Sequence, residues 1–273
     1  MISLKQNSVL TFFGVVVLLI ACFQLFYNHK GEIFSPVNST RALKTDDTNQ
    51  MVRIAATGDI MLHSPQINSG RQKNGSYDFS SFFEEIKPYF SSADLSIANL
   101  EVSLGGKPPY SGYPRFNAPD QLVDAVHDAG INIVSTANNH AMDMGTQGLK
   151  RTYHVVNQKG IKTVGTAPSP QERKATMVTK KGIRLAFLAY TESTNGLPVP
   201  APYLLNKIDS SQIKKDIKEA KKQGADFVIL SLHFGTEYQR IPNGYQRQTA
   251  QHAFESGADV ILGCHPHVIQ PMK

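Results

Sequence analysis

The stretch Gly257-Ala-Asp-Val-Ile-Leu-Gly-Cys-His-Pro-His267 joins a short apolar run to a glycine and two histidines. An apolar run of this length, rich in Val and Ile and bounded by turn residues, is typical of a buried β-strand. Polar groups beyond the carboxyl end of a parallel strand form the site of an open α/β sheet. If the chain stays extended through Pro266, His265 and His267 point to one face and can bind Zn, Mn or Fe. The alternative is that these are two loop histidines at a strand end that bind no metal.

Four other apolar runs end in the same way, with a carboxylate, an amide or an imidazole at the carboxyl end. They are residues 52–57 before Asp59, residues 95–98 before Asn99 and Glu101, residues 131–136 before Asn139 and His140, and residues 227–232 before His233. These residue types bind hard or borderline divalent cations. Together the strand ends predict a metal site at the carboxyl edge of one sheet.

The strand-end residues also have structural interpretations. Asn99 and Glu101 lie two residues apart, so an extended chain turns both to one side, where either could ligate or bridge metals. A strand-end salt bridge is the alternative for this pair. Asp59 follows a glycine and could instead form a turn or cap a helix. His233 could instead be a buried histidine with hydrogen-bond partners.

Residues 138–143, with the sequence Asn-Asn-His-Ala-Met-Asp, form the most specific of these stretches. Asn139 offers a carbonyl oxygen to a metal. His140 can act as a general acid that protonates a leaving group. Asp143 lies three residues further on and could hold His140 in the required tautomer. A polar loop with an unpaired histidine is the alternative.

Composition and charge narrow the class of partner. The 273 residues contain 41% hydrophobic and 18% charged residues, which is ordinary for a globular protein with a core. The net charge of +6 favours an acidic partner, such as an anionic lipid or an acidic polymer. The chain has no tryptophan and no basic-aromatic motif, so we expect no nucleic-acid partner. The two cysteines, Cys22 and Cys264, imply no disulfide framework.

The N-terminal region predicts a membrane attachment. Lys5 precedes an apolar run over residues 9–26, which is nearly long enough to span a bilayer. We interpret residues 1–27 as an uncleaved signal anchor in the cell membrane, with a single pass and an extracytoplasmic domain. The alternative is a lipoprotein, because residues 19–22 resemble a lipobox ending at Cys22. Residues 28–50 are polar and predict a flexible stalk, and residues 51–273 form the folded domain.

Helical patterns alternate with the strands. The predicted helices cover residues 80–90, 119–130, 145–158, 210–223 and 243–256. Alternating strands and helices predict an α/β fold. A hairpin over residues 174–190 adds antiparallel strands, so the sheet is expected to be mixed or doubled.

Several motifs of this chain resemble the CapA family of capsule-synthesis proteins, also called PgsA in organisms that produce poly-γ-glutamate. They are Gly58-Asp-Ile-Met61, Asn99-Leu-Glu101, Ala137-Asn-Asn-His-Ala-Met-Asp143, His233-Phe-Gly-Thr-Glu-Tyr238 and Gly263-Cys-His-Pro-His-Val268. The resemblance covers the chain from about Met51 onward. The family is similar in turn to calcineurin-like metallophosphoesterases, which implies an α-β-β-α sandwich with a two-metal site.

The resemblance also implies roles for single residues. The positions of metal ligands fall on Asp59, Asn139, His233, His265 and His267, the bridging position falls near Glu101 or Asn99, and the general acid falls on His140. The implied cofactor is a divalent metal (Mn, Zn or Fe), as one or two ions. The implied partners are poly-γ-glutamate and other membrane subunits of capsule synthesis.

The sequence departs from the phosphoesterase pattern in two places. Met61 stands where phosphoesterases carry a histidine, and His63 is near but displaced, so one metal site is expected to be weakened or empty. Family members continue beyond the His-Pro-His motif, so the second sheet is expected to be incomplete, with an exposed edge. Three functions stay open: a component of poly-γ-glutamate synthesis or export, a metal-dependent hydrolase of a phosphoester or γ-glutamyl amide, and an inactive truncated paralogue.

Overall fold

The computed structural model describes residues 2–5 and 51–272. The predicted stalk lies outside these ranges, and so does the predicted membrane segment apart from residues 2–5, which form strand β1 (Ile2–Lys5). Within the described ranges, none of the helices combines the length and the apolar character that a membrane span requires.

Two sheets organise the domain. The first has the order β1-β2-β3-β4-β5, with β2 (Met51–Ile60), β3 (Leu95–Leu100), β4 (Ile133–Ser135) and β5 (Lys162–Val164) paired in parallel. The second has the order β6-β7-β8-β9, with β6 (Thr176–Lys180), β7 (Ile183–Thr191), β8 (Phe227–His233) and β9 (Val260–Cys264). β6 runs antiparallel to β7, whereas β7, β8 and β9 are parallel. The predicted α/β class and hairpin are therefore confirmed.

In the part of the chain that the structure describes, six α-helices connect these strands. They are α1 (Ser64–Gly70), α2 (Lys87–Ser91), α3 (Gln121–Asp128), α4 (Gly145–Gln158), α5 (Ser210–Lys222) and α6 (Gly244–Glu255). α3 to α6 confirm four of the predicted helices to within two residues at each end. The helix predicted at 80–90 was wrong as a single element, because a 3₁₀ turn (Ser80–Phe82) precedes the short α2. Pro88 has no N–H to donate and disfavours an unbroken helix.

The prediction that all five polar strand ends share one sheet was wrong. β2, β3 and β4 belong to the first sheet, whereas β8 and β9 belong to the second. Apolar runs predict buried strands, but the pairing of strands depends on contacts that are distant in sequence. Because side chains from both groups of strand ends touch one another, the candidate site lies between the sheets.

Close packing joins the two sheets near this site. Gly165 follows β5 with a φ of +96°, and a Cβ there would lie 2.5 Å from the Cβ of Ala137 and 3.0 Å from that of Ala189. Ala137 follows β4 and Ala189 belongs to β7, so this glycine lets the first sheet approach the second. β3 is buried along its whole length, and β7 and β8 are buried along most of theirs, as expected for parallel strands that are covered on both faces.

The loop between β8 and α6 has a fixed end. Asn243 accepts a hydrogen bond from the backbone N–H of Gln246, and the Gln246 side chain accepts one from the backbone N–H of Asn243. This capping box satisfies two backbone donors and sets the first residue of α6. Residues 234–242 are consequently held between a buried strand end and a capped helix.

Candidate metal centre

Asp59 lies at the edge of an irregularity in β2, where the pairing with β3 changes register. Its Oδ1 accepts a hydrogen bond from Asn99 Nδ2 at 2.8 Å, and its Oδ2 lies 2.9 Å from His267 Nδ1. The backbone N–H of His265 donates to Oδ2 at 3.2 Å. Burial opposes ionisation of Asp59, but the hydrogen bond with His267 and the nearby His233 outweigh it and lower the pKa to about 2.

Glu101 is fully buried just beyond β3. Its Oε2 accepts a long hydrogen bond of 3.3 Å from Asn99 Nδ2, as expected for two residues on one side of an extended chain. Its Oε1 lies 3.5 Å from His233 Nε2 and has no hydrogen-bond partner among residues 51–272. Burial and the negative Asp59 raise the pKa of Glu101 to about 9. A buried carboxyl group with an unsatisfied oxygen is costly unless a cation compensates it.

His233 ends β8 inside the site. Asn99 Nδ2 lies 3.1 Å from its Nδ1, and Asn139 Oδ1 lies 2.8 Å from its Nε2. An amide N–H on one nitrogen and a carbonyl oxygen on the other match a neutral imidazole. Burial is the main cause that lowers the pKa of His233 to about 4. A neutral imidazole is the form that binds a metal, so His233 has the protonation state that a metal ligand requires.

The His-Pro-His segment does not stay extended, so the condition under which His265 and His267 would point to one face of an extended chain is not met. β9 ends at Cys264, and both His265 and His267 have a positive φ, of 95° and 53°. The tertiary bonds to Asp59 hold this unusual backbone in place. Burial lowers the pKa of His265 to about 4, whereas the bond to Asp59 raises the pKa of His267. The Nδ1 of His265 is buried and has no partner in the described ranges.

Three groups of side chains in the described residues could each hold an ion, with ligand atoms within 4.8 Å of one another. They are Glu101 with His233 and His265, Asp59 with Glu101 and His267, and Glu237 with His265 and His267. Glu101 is common to the first two groups. The two unpartnered atoms, Glu101 Oε1 and His265 Nδ1, are the atoms that a cation would satisfy. The residues present therefore fit a divalent metal of the Zn, Mn or Fe class.

His140 and Asp143 form a buried pair in the loop before α4. His140 Nδ1 lies 2.7 Å from Asp143 Oδ2, which also accepts a hydrogen bond of 2.7 Å from the backbone N–H of Phe116. The Phe116 ring meets the imidazole edge-on, with centroids 4.6 Å apart. Arg115 donates two hydrogen bonds to the Asp143 carbonyl oxygen. The contact at Nδ1 thus fixes the orientation of the imidazole, and Nε2 is the nitrogen that is left for proton transfer.

Met61 and His63 stand apart from the ligand groups. The Met61 side chain packs on the core cluster around Phe79 and Phe116. The His63 ring lies 5.2 Å from the Phe116 ring in an edge-on contact. Among the described residues, His63 takes part in none of the groups of candidate metal ligands. The expectation that one metal site is weakened or empty stays a prediction.

Some residues of the site were missed in the sequence. A cavity of about 120 Å³ adjoins His233 and His265 and is also lined by Thr191, Glu192 and Ser193. These three residues lie at the carboxyl end of the apolar run of β7. The search for polar residues after apolar runs, which identified the other strand ends, would therefore have identified them as well. Glu237 lies within a motif that carried the family resemblance. A larger cavity, of about 380 Å³, contains none of the predicted ligands and lies around β5, Arg173 and Asn206.

Comparison with known proteins identifies a family and several relatives of this chain. Residues 53–273 match the family described as "Bacterial capsule synthesis protein PGA_cap". The chain is 28% identical to the "PGA biosynthesis protein CapA" of Bacillus subtilis (strain 168), over 98% of this chain and 69% of that protein. It is 29% identical to the "Capsule biosynthesis protein CapA" of Bacillus anthracis, over 81% of this chain and 56% of that protein. The chain thus spans between about half and two thirds of the length of these relatives.

A solved structure shares the fold. The putative 5'-nucleotidase from Staphylococcus aureus superposes with a TM-score of 0.52 and 15% identity, covering 78% of this chain and 45% of that one. This likeness supports the two-sheet architecture and says nothing of the activity. The family match covers most of the sequence and includes all the motifs that carried the resemblance. This chain therefore belongs to the bacterial capsule synthesis protein family PGA_cap.

Proposed function

We propose that this chain is a component of poly-γ-glutamate capsule synthesis or export and that its domain is a metal-dependent hydrolase. The bond cleaved is a phosphoester or the γ-glutamyl amide of the polymer. One observation carries the proposal: overlapping groups of carboxylates and imidazoles meet where the strands of both sheets end, and they leave Glu101 Oε1 and His265 Nδ1 without partners. The family adds the capsule context.

The proposal also covers the cellular location of the chain and its binding partners. The apolar run at residues 9–26, within the expected anchor of residues 1–27, is proposed to attach the chain to the cell membrane, with the domain outside the cytoplasm. Lipidation at Cys22 is the alternative anchor. The net charge of +6 suits an acidic polymer, and the family context suggests that other membrane subunits of capsule synthesis are partners.

A divalent cation held by Asp59, Glu101 and the surrounding histidines would supply Lewis acidity and activate water at neutral pH. The residues of the chain perform the remaining tasks. Asp143 Oδ2 accepts a hydrogen bond from the N–H of His140 Nδ1, which leaves Nε2 as the atom that gives a proton to the leaving group. The backbone N–H of Phe116 and the ring of Phe116 hold the pair in position, so that little reorganisation precedes proton transfer.

The hydrolase proposal is tested with the full chain, loaded in turn with Mn²⁺, Zn²⁺ and Fe²⁺. The substrates are p-nitrophenyl phosphate, bis-p-nitrophenyl phosphate and γ-linked glutamate oligomers, and chelator-treated protein is the control. We expect one substrate class to be cleaved only when metal is bound. Metal-loaded, folded protein that cleaves neither class would contradict the hydrolase proposal and favour an inactive paralogue. Polymer binding that weakens as salt rises would still support the capsule role.

A further inference from the structure

Glu237 has no role in the mechanism above, yet it lies beside two of the candidate ligands. Its carboxylate and the imidazoles of His265 and His267 offer atoms within 4.8 Å of one another. Unlike Glu101 and His233, Glu237 is exposed to solvent. Glu237 is therefore a solvent-exposed candidate ligand, whereas Glu101 is fully buried.

Backbone contacts hold the Glu237 loop against the His-Pro-His segment. The N–H of Tyr238 donates to the Pro266 carbonyl oxygen at 2.8 Å, and the N–H of Phe234 donates to the Cys264 carbonyl oxygen at 3.2 Å. Gly235 has a φ of +110°, a conformation that favours glycine. These contacts on both sides of Glu237 fix the distance between its backbone and the two histidines. A ligand on such a loop is positioned before the ion binds.

The charges and free atoms around Glu237 also suit a cation. His265 Nδ1 is buried and has no hydrogen-bond partner within residues 51–272. Glu237 itself forms no ion pair with a lysine or arginine in that part of the chain. Two imidazoles and one carboxylate are a ligand set that suits Zn, Mn or Fe(II), with positions left open for water or substrate.

We propose that Glu237 is a ligand, on the solvent side, to a divalent cation held by His265 and His267. Met61 packs against the core cluster, and Glu237 adds a carboxylate to the two imidazoles. The inference rests on the proposed function only in that both require the domain to bind a divalent cation. With Glu237 as a ligand, the metal site of this chain would include a loop residue besides the residues at the strand ends.

The test is a Co²⁺ titration of the metal-free full chain, followed by its visible absorption and by elemental analysis. The Glu237→Gln variant keeps the size of the side chain and removes the charge. We expect one Co²⁺ equivalent to bind about tenfold or more weakly in this variant, with a changed spectrum, because the loss of a direct ligand should cost at least as much affinity as the loss of an outer-shell partner. Any tighter equivalent should be unaffected. Glu84→Gln, at an exposed position outside every candidate ligand group, is the matched control and should titrate like the wild type.

The outcomes separate this inference from the proposed function. A Glu237→Gln titration that superimposes on that of the wild type would overturn the role of Glu237 and leave the metal-dependent hydrolase intact. A folded wild-type chain that binds no Co²⁺ would overturn both. Circular dichroism spectra of all three proteins establish that the variants are folded.

Discussion

Replacing His140 with alanine is expected to lower kcat of the metal-loaded protein by about 10²- to 10⁴-fold, which is the usual contribution of a positioned general acid. His140 is buried, its Nδ1 lies 2.7 Å from Asp143 Oδ2, and its ring contacts the Phe116 ring edge-on, so the imidazole is held in one orientation. The rate is measured with the substrate class that the hydrolysis assay identifies. KM should change much less than kcat, because the proton is transferred only in the transition state.

Two controls make the His140 result specific. His154→Ala removes an exposed histidine of α4 and should leave the rate unchanged. The metal content of His140→Ala should equal that of the wild type, because His140 belongs to none of the ligand groups in the described residues. A His140→Ala variant with wild-type kcat would refute the general-acid role, and one that loses its metal would show that His140 acts on the site as a whole.

Replacing Glu101 with glutamine is expected to remove metal binding at both inner ligand groups at once. Glu101 is the residue that the group of Asp59 and His267 shares with the group of His233 and His265. Glutamine keeps the size of the side chain but removes the negative charge that a divalent cation requires. Elemental analysis and Co²⁺ titration measure the loss, and Glu84→Gln again serves as the control. Retention of a full complement of metal in Glu101→Gln would show that Glu101 is not the shared ligand.

The same substitution should make the metal-free protein more stable at neutral pH. Burial and Asp59 raise the pKa of Glu101 from 4.5 to about 9, so the folded state holds a proton that the unfolded state releases. Stability from this group is therefore complete below about pH 4.5 and falls as the pH rises toward 9. The advantage of Glu101→Gln over the metal-free wild type should grow across this range, as measured by urea unfolding at several pH values. An advantage that is independent of pH would contradict this origin.

The strands and helices of this fold could be predicted because their signals are local. The apolar run before His233 and the amphipathic pattern of residues 145–158 each specify an element without knowledge of the rest of the chain. The contact between His140 and Asp143 could also be predicted, because the two residues lie only three positions apart in a loop after a strand. The sequence motifs likewise led to the family.

The arrangement of the site could not be predicted from the same local signals. The membership of each strand in the first or second sheet is decided by pairing across long sequence distances, and the strand ends therefore suggested one sheet where there are two. The positive φ of His265 and His267 is locally unfavourable and exists only because of tertiary contacts such as the bond from His265 N–H to Asp59. The position of Glu237 also depends on a tertiary contact, the hydrogen bond from the Tyr238 N–H to the Pro266 carbonyl oxygen.

The measurement to make first is the metal content of the purified full-length chain, by elemental analysis, beside the Asp59→Ala/His265→Ala double variant. The two substitutions remove a ligand from each group of candidate side chains. We predict that the wild type holds near-stoichiometric Mn, Zn or Fe and that the folded double variant has lost it. A folded wild-type chain that holds no metal after incubation with these ions would contradict the metal centre, and with it the hydrolase.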